Sequence, residues 1–166
     1  MFENATLLNQ TTTGPHSQFG EEYRVSQSAR QLYQRVRQQG RIGQIVARLT
    51  GHQAGRLIDL DDFAGGPRAS RARHFAGIKT VKLSEIRGSA GRHNDFDAAF
   101  QPLTANSEQR WLRVATARQE RLGLPPVQLI QVGDSYFLLD GHHRVSVARA
   151  RGEREIEAEV TVWELA

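Results

Sequence analysis

The chain has 166 residues, 39% of them hydrophobic and 24% charged, with a formal net charge of +4 and no cysteine. That length supports one folded domain plus an extension. The missing cysteines exclude disulfides and thiol catalysis, and no apolar run approaches the roughly 20 residues that span a bilayer. The basic surplus is local: Met1–Gly77 carries ten Arg against six Asp and Glu, and Ile78–Ala166 carries twelve Lys and Arg against twelve Asp and Glu.

The opening Met1-Phe2-Glu3-Asn4 lacks a basic stretch followed by an apolar core, so a cytoplasmic protein with no membrane contact is expected. Residues 1–24, rich in Thr, Asn, Gln and Gly, read as a flexible tail. From an N-cap at Ser26 or Ser28 an amphipathic helix begins, with Ala29, Leu32, Tyr33 and Val36 on one face. A second apolar set, Ile42, Ile45, Val46 and Leu49, keeps the same spacing but is rotated by well over 90° at about 100° per residue. Two short helices broken at Gly40, with Gly43 assisting and Gly51 closing the pair, account for the rotation. If the pair is a helix-turn-helix turning at Gln39-Gly40-Arg41, then Arg41, Gln44 and Arg48 are the candidate DNA contacts. Two helices packed on the adjoining domain, with solvated arginines, are the plainer account.

Arg56–Phe63 reads as a brief strand or turn leading into a helix start, and Ala64–His74, rich in Gly, Ser and Arg, as a linker. A domain boundary near Phe75 leaves residues 25–76 as a basic helical extension with its linker and 77–166 as the main domain. Ile78–Ile86 suggests a strand. Arg87–Asp97 then holds two glycines, two arginines, a histidine and two carboxylates, more functional groups than a plain connection needs. Arg92 is a candidate phosphate contact, because guanidinium presents a bidentate fork; Asp95 and Asp97 are candidates for a base or a metal-holding carboxylate. Asn106 or Ser107 caps a helix running to about Leu122, with Trp111, Leu112, Ala115 and Leu122 as its buried stripe. Val127–Val132 and Ser135–Asp140 form a hairpin across Gly133-Asp134, and Ile156, Ala158, Val160 and Val162 alternate with Glu157, Glu159, Thr161 and Trp163 in a last strand.

The most informative stretch is Asp140-Gly141-His142-His143-Arg144. It follows a short apolar run and opens a helix that stops at Gly152, with Arg149 and Arg151 expected to face water. A strand that turns through glycine into a helix leaves unpaired amides and the positive end of the helix dipole at the corner. Gly141, His142, His143 and Arg144 would there hold phosphate, with Asp140 fixing the loop or reaching a metal. A plainer account has Asp140 capping and the imidazoles on a solvated first turn; the five residues together favour a ligand site. Adjacent histidines diverge on a helix and no third ligand follows at metal spacing, so direct metal chelation by the pair is set aside.

That run, opening a small-residue helix with the strand-like Ile78–Ile86 upstream, resembles the ParB/sulfiredoxin superfamily, the ParB-like nuclease domains, over roughly Gly77–Leu165. The resemblance implies an α+β fold, a compact mixed-sheet domain that binds a nucleotide. Members include partition proteins that bind and hydrolyse CTP, sulfiredoxins that use ATP and Mg²⁺, and serine kinases that use ADP as phosphate donor. The sulfiredoxin reaction needs a cysteine in this loop, where His142 or its neighbour stands, so that activity is excluded. In the serine kinases the segment after the first strand carries a catalytic glutamate, which nothing here matches unambiguously, since Glu85 precedes the turn. The expected function is therefore phosphate binding from a nucleotide (ATP, ADP or CTP) with Mg²⁺, extending to hydrolysis or phosphoryl transfer with His143, Asp95 or Asp97 in the catalytic role. The alternatives are a DNA-binding regulator of bacterial type acting through the N-terminal helices, or a non-catalytic, antitoxin-like interaction protein; a homodimer is left open. Only about a dozen residues follow Gly152, where the family's DNA-reading helical domain would lie, so any DNA contact is expected from the N-terminal half.

Overall fold

The computed structural model describes residues 15–50, 55, 57–65, 70–92 and 94–165. Helix α1 spans Pro15–Thr50, followed by strand β1 (Ile58–Asp59), helix α2 (Leu60–Phe63), strands β2 (Ser70–Lys82) and β3 (Ile86–Ser89), and helix α3 (Glu108–Gln119). Strands β4 (Val127–Val132) and β5 (Ser135–Asp140), helix α4 (His142–Ala150) and strand β6 (Glu155–Leu165) complete the chain. The strands make one mixed sheet in the order β1-β3-β5-β4-β6-β2, so the fold is α+β as expected. β4 and β5 form the expected hairpin, with Val132 opposite Ser135 and Gly133 at φ 57°.

Alternation along the strands gives the sheet two apolar faces. Leu129, Leu138, Ala158 and Val160 join Val145 and Ala148 of α4 in the main core. The residues between them, Ile130, Val132 and Phe137, point the other way and pack with Leu60 of α2, whose N-cap Asp59 accepts a hydrogen bond from the Asp61 amide at 2.8 Å. A third cluster ties α1 to the body: Ala29, Tyr33 and Val36 pack with Trp111 and Ala115 of α3 and Val147 of α4. Trp111 is fully buried, as its place on the stripe required, and its indole N–H donates to Ser146 Oγ at 2.9 Å.

Several expectations change. The first apolar stripe does start an amphipathic helix, but α1 is one helix of 36 residues; it is not broken at Gly40, and residues 15–24 belong to it. Glycine inside a helix costs only about 1 kcal/mol, and Gly40 serves a close approach: a Cβ there would lie 3.0 Å from Gln101 Oε1. With no turn at Gln39–Arg41 the expected helix-turn-helix is not there; Arg41 is exposed on an unbroken helix, and the side chains of Gln44 and Arg48, like Gly51, lie outside the described residues. Ile42, Ile45, Val46 and Leu49 remain 50–81% exposed.

The expected linker is partly strand, since β2 begins at Ser70 and pairs antiparallel with β6 from Ser70–Leu165 onward; residues 66–69 lie outside the described ones. α3 ends at Gln119, which leaves Leu122 exposed instead of buried. Among the described residues no helix is long and apolar enough to cross a membrane.

Candidate functional site

The corner between β5 and α4 is built by glycine. Gly141 is the N-cap of α4 at φ 99°, ψ 23°, a left-handed conformation that a side chain strains. A Cβ there would sit 2.6 Å from Val127 Cγ1, so the corner also has no room for one. The first helical hydrogen bond runs from the Val145 amide to the Gly141 carbonyl, and no side chain caps the helix. The amides of His142, His143 and Arg144 therefore stand at the positive end of the α4 dipole without a side-chain cap.

Both imidazoles are buried, not solvated. His142 stacks on Phe96 with ring centroids 5.6 Å apart, and its Nε2 lies 2.7 Å from Ser89 Oγ at the end of β3. That hydroxyl also accepts the Arg92 amide and lies 3.3 Å from the Leu138 carbonyl, so its single proton sets the tautomer of His142. His143 meets Phe96 edge-on at 5.4 Å and is 9% exposed; among the described residues neither of its ring nitrogens has a hydrogen-bond partner. Burial, reinforced by the positive charge of Arg92, pushes both histidines down to about 4, so both are neutral at pH 7. Arg110 of α3 adds to this at His143, while Asp95 and Asp140 act in the opposite sense on both rings.

Arg144 is not an open phosphate contact. Its guanidinium donates to the carbonyls of Pro125 at 2.6 Å and Pro126 at 2.8 Å, and to Asp140 Oδ2 at 2.6 Å. The pair is a strut that fastens the loop before β4 to the corner, with Asp140 accepting one of the guanidinium's hydrogen bonds. Arg149 is likewise corrected: instead of facing water it donates to the carbonyls of Ala98, Leu83 and Ile86 and lies over the Phe100 ring.

Arg92 lies at the corner in an ion pair with Asp95, its Nε 2.9 Å and its terminal nitrogen 2.8 Å from Asp95 Oδ2. Asp97 is turned elsewhere. Its Oδ1 accepts the amides of Ala99 and Gln101, closing the turn beneath Gly40, and burial raises its pKa. The structure thus gathers Gly141, His142, His143, Arg92 and Asp95, adds Ser89, leaves Asp97 out, and has Arg110 acting on His143 through its charge alone. Ser89 gave no sequence signal beyond its place at a strand end. Arg110 precedes the core Trp111, and only the packing of α3 against α4 brings it near. Among the described residues no group of three or more His, Asp or Glu converges as a metal cage.

No family model matches the sequence, and no curated protein does. Among solved structures the chain is similar to sulfiredoxin from Arabidopsis thaliana, at 23% identity and a TM-score of 0.35, over 50% of this chain and 82% of that one.

Proposed function

We propose that the corner between β5 and α4 binds the phosphates of a nucleotide. The carrying observation is His143: an imidazole with both nitrogens unpartnered among the described residues, buried beside a helix N-terminus that no side chain caps. A buried polar group without a partner costs roughly 1–3 kcal/mol, and a site that gains the missing partner from a ligand accounts for keeping it. The first-turn amides supply donors, and the charges of Arg92 and Arg110, strong enough to help hold His143 at about 4, supply the field that draws an anion in. An arriving phosphate offsets that field and raises the pKa of His143, so the ring can add a charged donor. Mg²⁺ would enter with the nucleotide, and Asp95 or Asp140 would be the carboxylate that helps hold it, since the described residues offer no cage of their own. Its chemistry there would be positive charge set against that of the phosphates.

Binding is the core of the reading. For hydrolysis or phosphoryl transfer Asp95 is the carboxylate at hand, because His143 at about 4 is a weak base at pH 7 until an anion sits beside it. The test is calorimetric titration at low salt with ATP, ADP, CTP, GTP and pyrophosphate, with and without Mg²⁺. At least one nucleotide and pyrophosphate should bind, whereas the matching nucleoside should not. Arg92→Ala with Arg110→Ala should weaken binding by ~100-fold, as expected for two charge-assisted contacts. No heat with any phosphate compound, or equal affinity in the double variant, would overturn the reading.

A further inference from the structure

The apolar stripe on the distal half of α1 joins none of the apolar clusters among the described residues. Ala29, Tyr33 and Val36 are buried against α3 and α4, and the helix runs on unbroken to Thr50. The stripe of Ile42, Ile45, Val46 and Leu49 is rotated away from that contact and stays 50–81% exposed. A straight helix cannot turn both stripes to one surface. A second copy meeting it helix to helix is disfavoured by charge: from Arg24 to Thr50 there are six Arg and no Asp or Glu. The partner surface should be apolar and rimmed with acid.

The chain carries such a surface on the sheet face away from α3 and α4. Register places Phe75 opposite Thr161 and Ile78 opposite Glu159, on the face that holds Ile130 and Phe137. The short α2 covers only part of it. Phe75, Ile78 and Leu139 are 66%, 58% and 48% exposed, and Leu139 lines a hollow of about 440 Å³ with Ile130, Thr161 and Trp163. Glu157 and Glu159 of β6 and Asp61 and Asp62 of α2 supply acid; among the described residues the counter-charges are Arg73, stacked 3.9 Å over the Trp163 ring, and Lys82 opposite Glu155. From Leu139 on β5 to Phe75 on β2 is three strand spacings, about 14 Å, and the stripe from Ile42 to Leu49 is about 11 Å long.

We infer that the protein forms a reciprocal dimer in which the distal half of α1 of each copy lies across the uncovered sheet face of the other. Both exposed apolar surfaces are covered in one step, arginines meet carboxylates twice, and the two-fold arrangement closes. The helix lies on the opposite side of its own sheet, so it reaches this face only on a second copy. The inference is independent of phosphate binding at the α4 corner.

Sedimentation velocity across a concentration series should show a species of twice 18.6 kDa that weakens as salt rises. Ile45→Glu with Leu49→Glu, and separately Leu139→Glu, should each raise the dimer dissociation constant more than tenfold with an unchanged circular dichroism spectrum, because all three positions are exposed. Mixing the two variants should restore a heterodimer, since one helix-on-sheet contact is intact. The chain has no cysteine, so Leu49→Cys mixed with Phe75→Cys should yield a disulfide-linked heterodimer under mild oxidation. A monomer at every concentration, a dimer indifferent to Leu139→Glu, or disulfides only between Leu49→Cys copies would overturn the inference.

Discussion

Replacing His143 by phenylalanine should make the protein more stable while abolishing its response to phosphate. The imidazole is buried with both nitrogens unpartnered among the described residues, a defect of roughly 1–3 kcal/mol. Phenylalanine removes those polar atoms and keeps a ring of similar size beside Phe96, so a gain of about 1 kcal/mol is expected at pH 7. The gain should grow in acid. The folded-state pKa of His143, about 4, lies below its ordinary 6.5, so between those values the unfolded chain takes up a proton that the folded chain refuses. Stability therefore falls as pH falls through this window, by about 1.4 kcal/mol per unit, and the loss is complete near pH 4. At pH 5 wild type has lost about 2 kcal/mol through this ring, which puts His143→Phe ahead by about 3 kcal/mol. His142, also at about 4, carries the same slope in both proteins and cancels from the difference. Urea unfolding at pH 7, 6 and 5, followed by far-ultraviolet circular dichroism, measures the gap; a pyrophosphate titration of the melting temperature reads binding on the same samples. If His143→Phe is no more stable at pH 7 and its pH slope parallels wild type, the imidazole has a partner in the folded protein and the argument fails.

Two further predictions separate the frame of the corner from its ligand contacts. Gly141→Ala meets Val127 Cγ1 at 2.6 Å in a backbone at φ 99° and should cost about 3 kcal/mol or prevent folding, whereas Gly133→Ala, at φ 57° with open space around it, should cost only about 1 kcal/mol; paired urea curves give the contrast. Arg144→Ala frees two carbonyls and a carboxylate and should cost about 2–3 kcal/mol in the same assay, while Arg92→Ala should change stability by under about 1 kcal/mol and weaken pyrophosphate binding about tenfold.

What could be read in the sequence was whatever local chemistry decides. The Gly133-Asp134 hairpin, the alternation of β6, the core position of Trp111 and the strand-glycine-helix corner at Gly141 each follow from backbone preferences or from periodicity within a few residues, and the structure has all four. What could not be read depended on partners distant in the chain. An arginine in a sequence shows only a charge and a reach. Arg144 and Arg149 proved to be struts because carbonyls at Pro125, Leu83 and Ile86 lie within that reach once the sheet has formed. Arg110 came to the corner for the opposite reason: α3 is seated by its neighbour Trp111, and the guanidinium is carried along. Ser70–His74 looked like linker because Arg, Ser and Ala give no strand signal alone, but β6 offers them a ladder. Gly40 is the most instructive reversal. Two apolar stripes out of phase argue for a break only if both must be buried on one body, and the glycine between them seemed to supply it. The helix instead passes straight through, its Gly40 closing on Gln101, and the second stripe is left for another surface. The phase mismatch that suggested a kink within the chain is, in the intact helix, the geometric reason to expect a contact between chains.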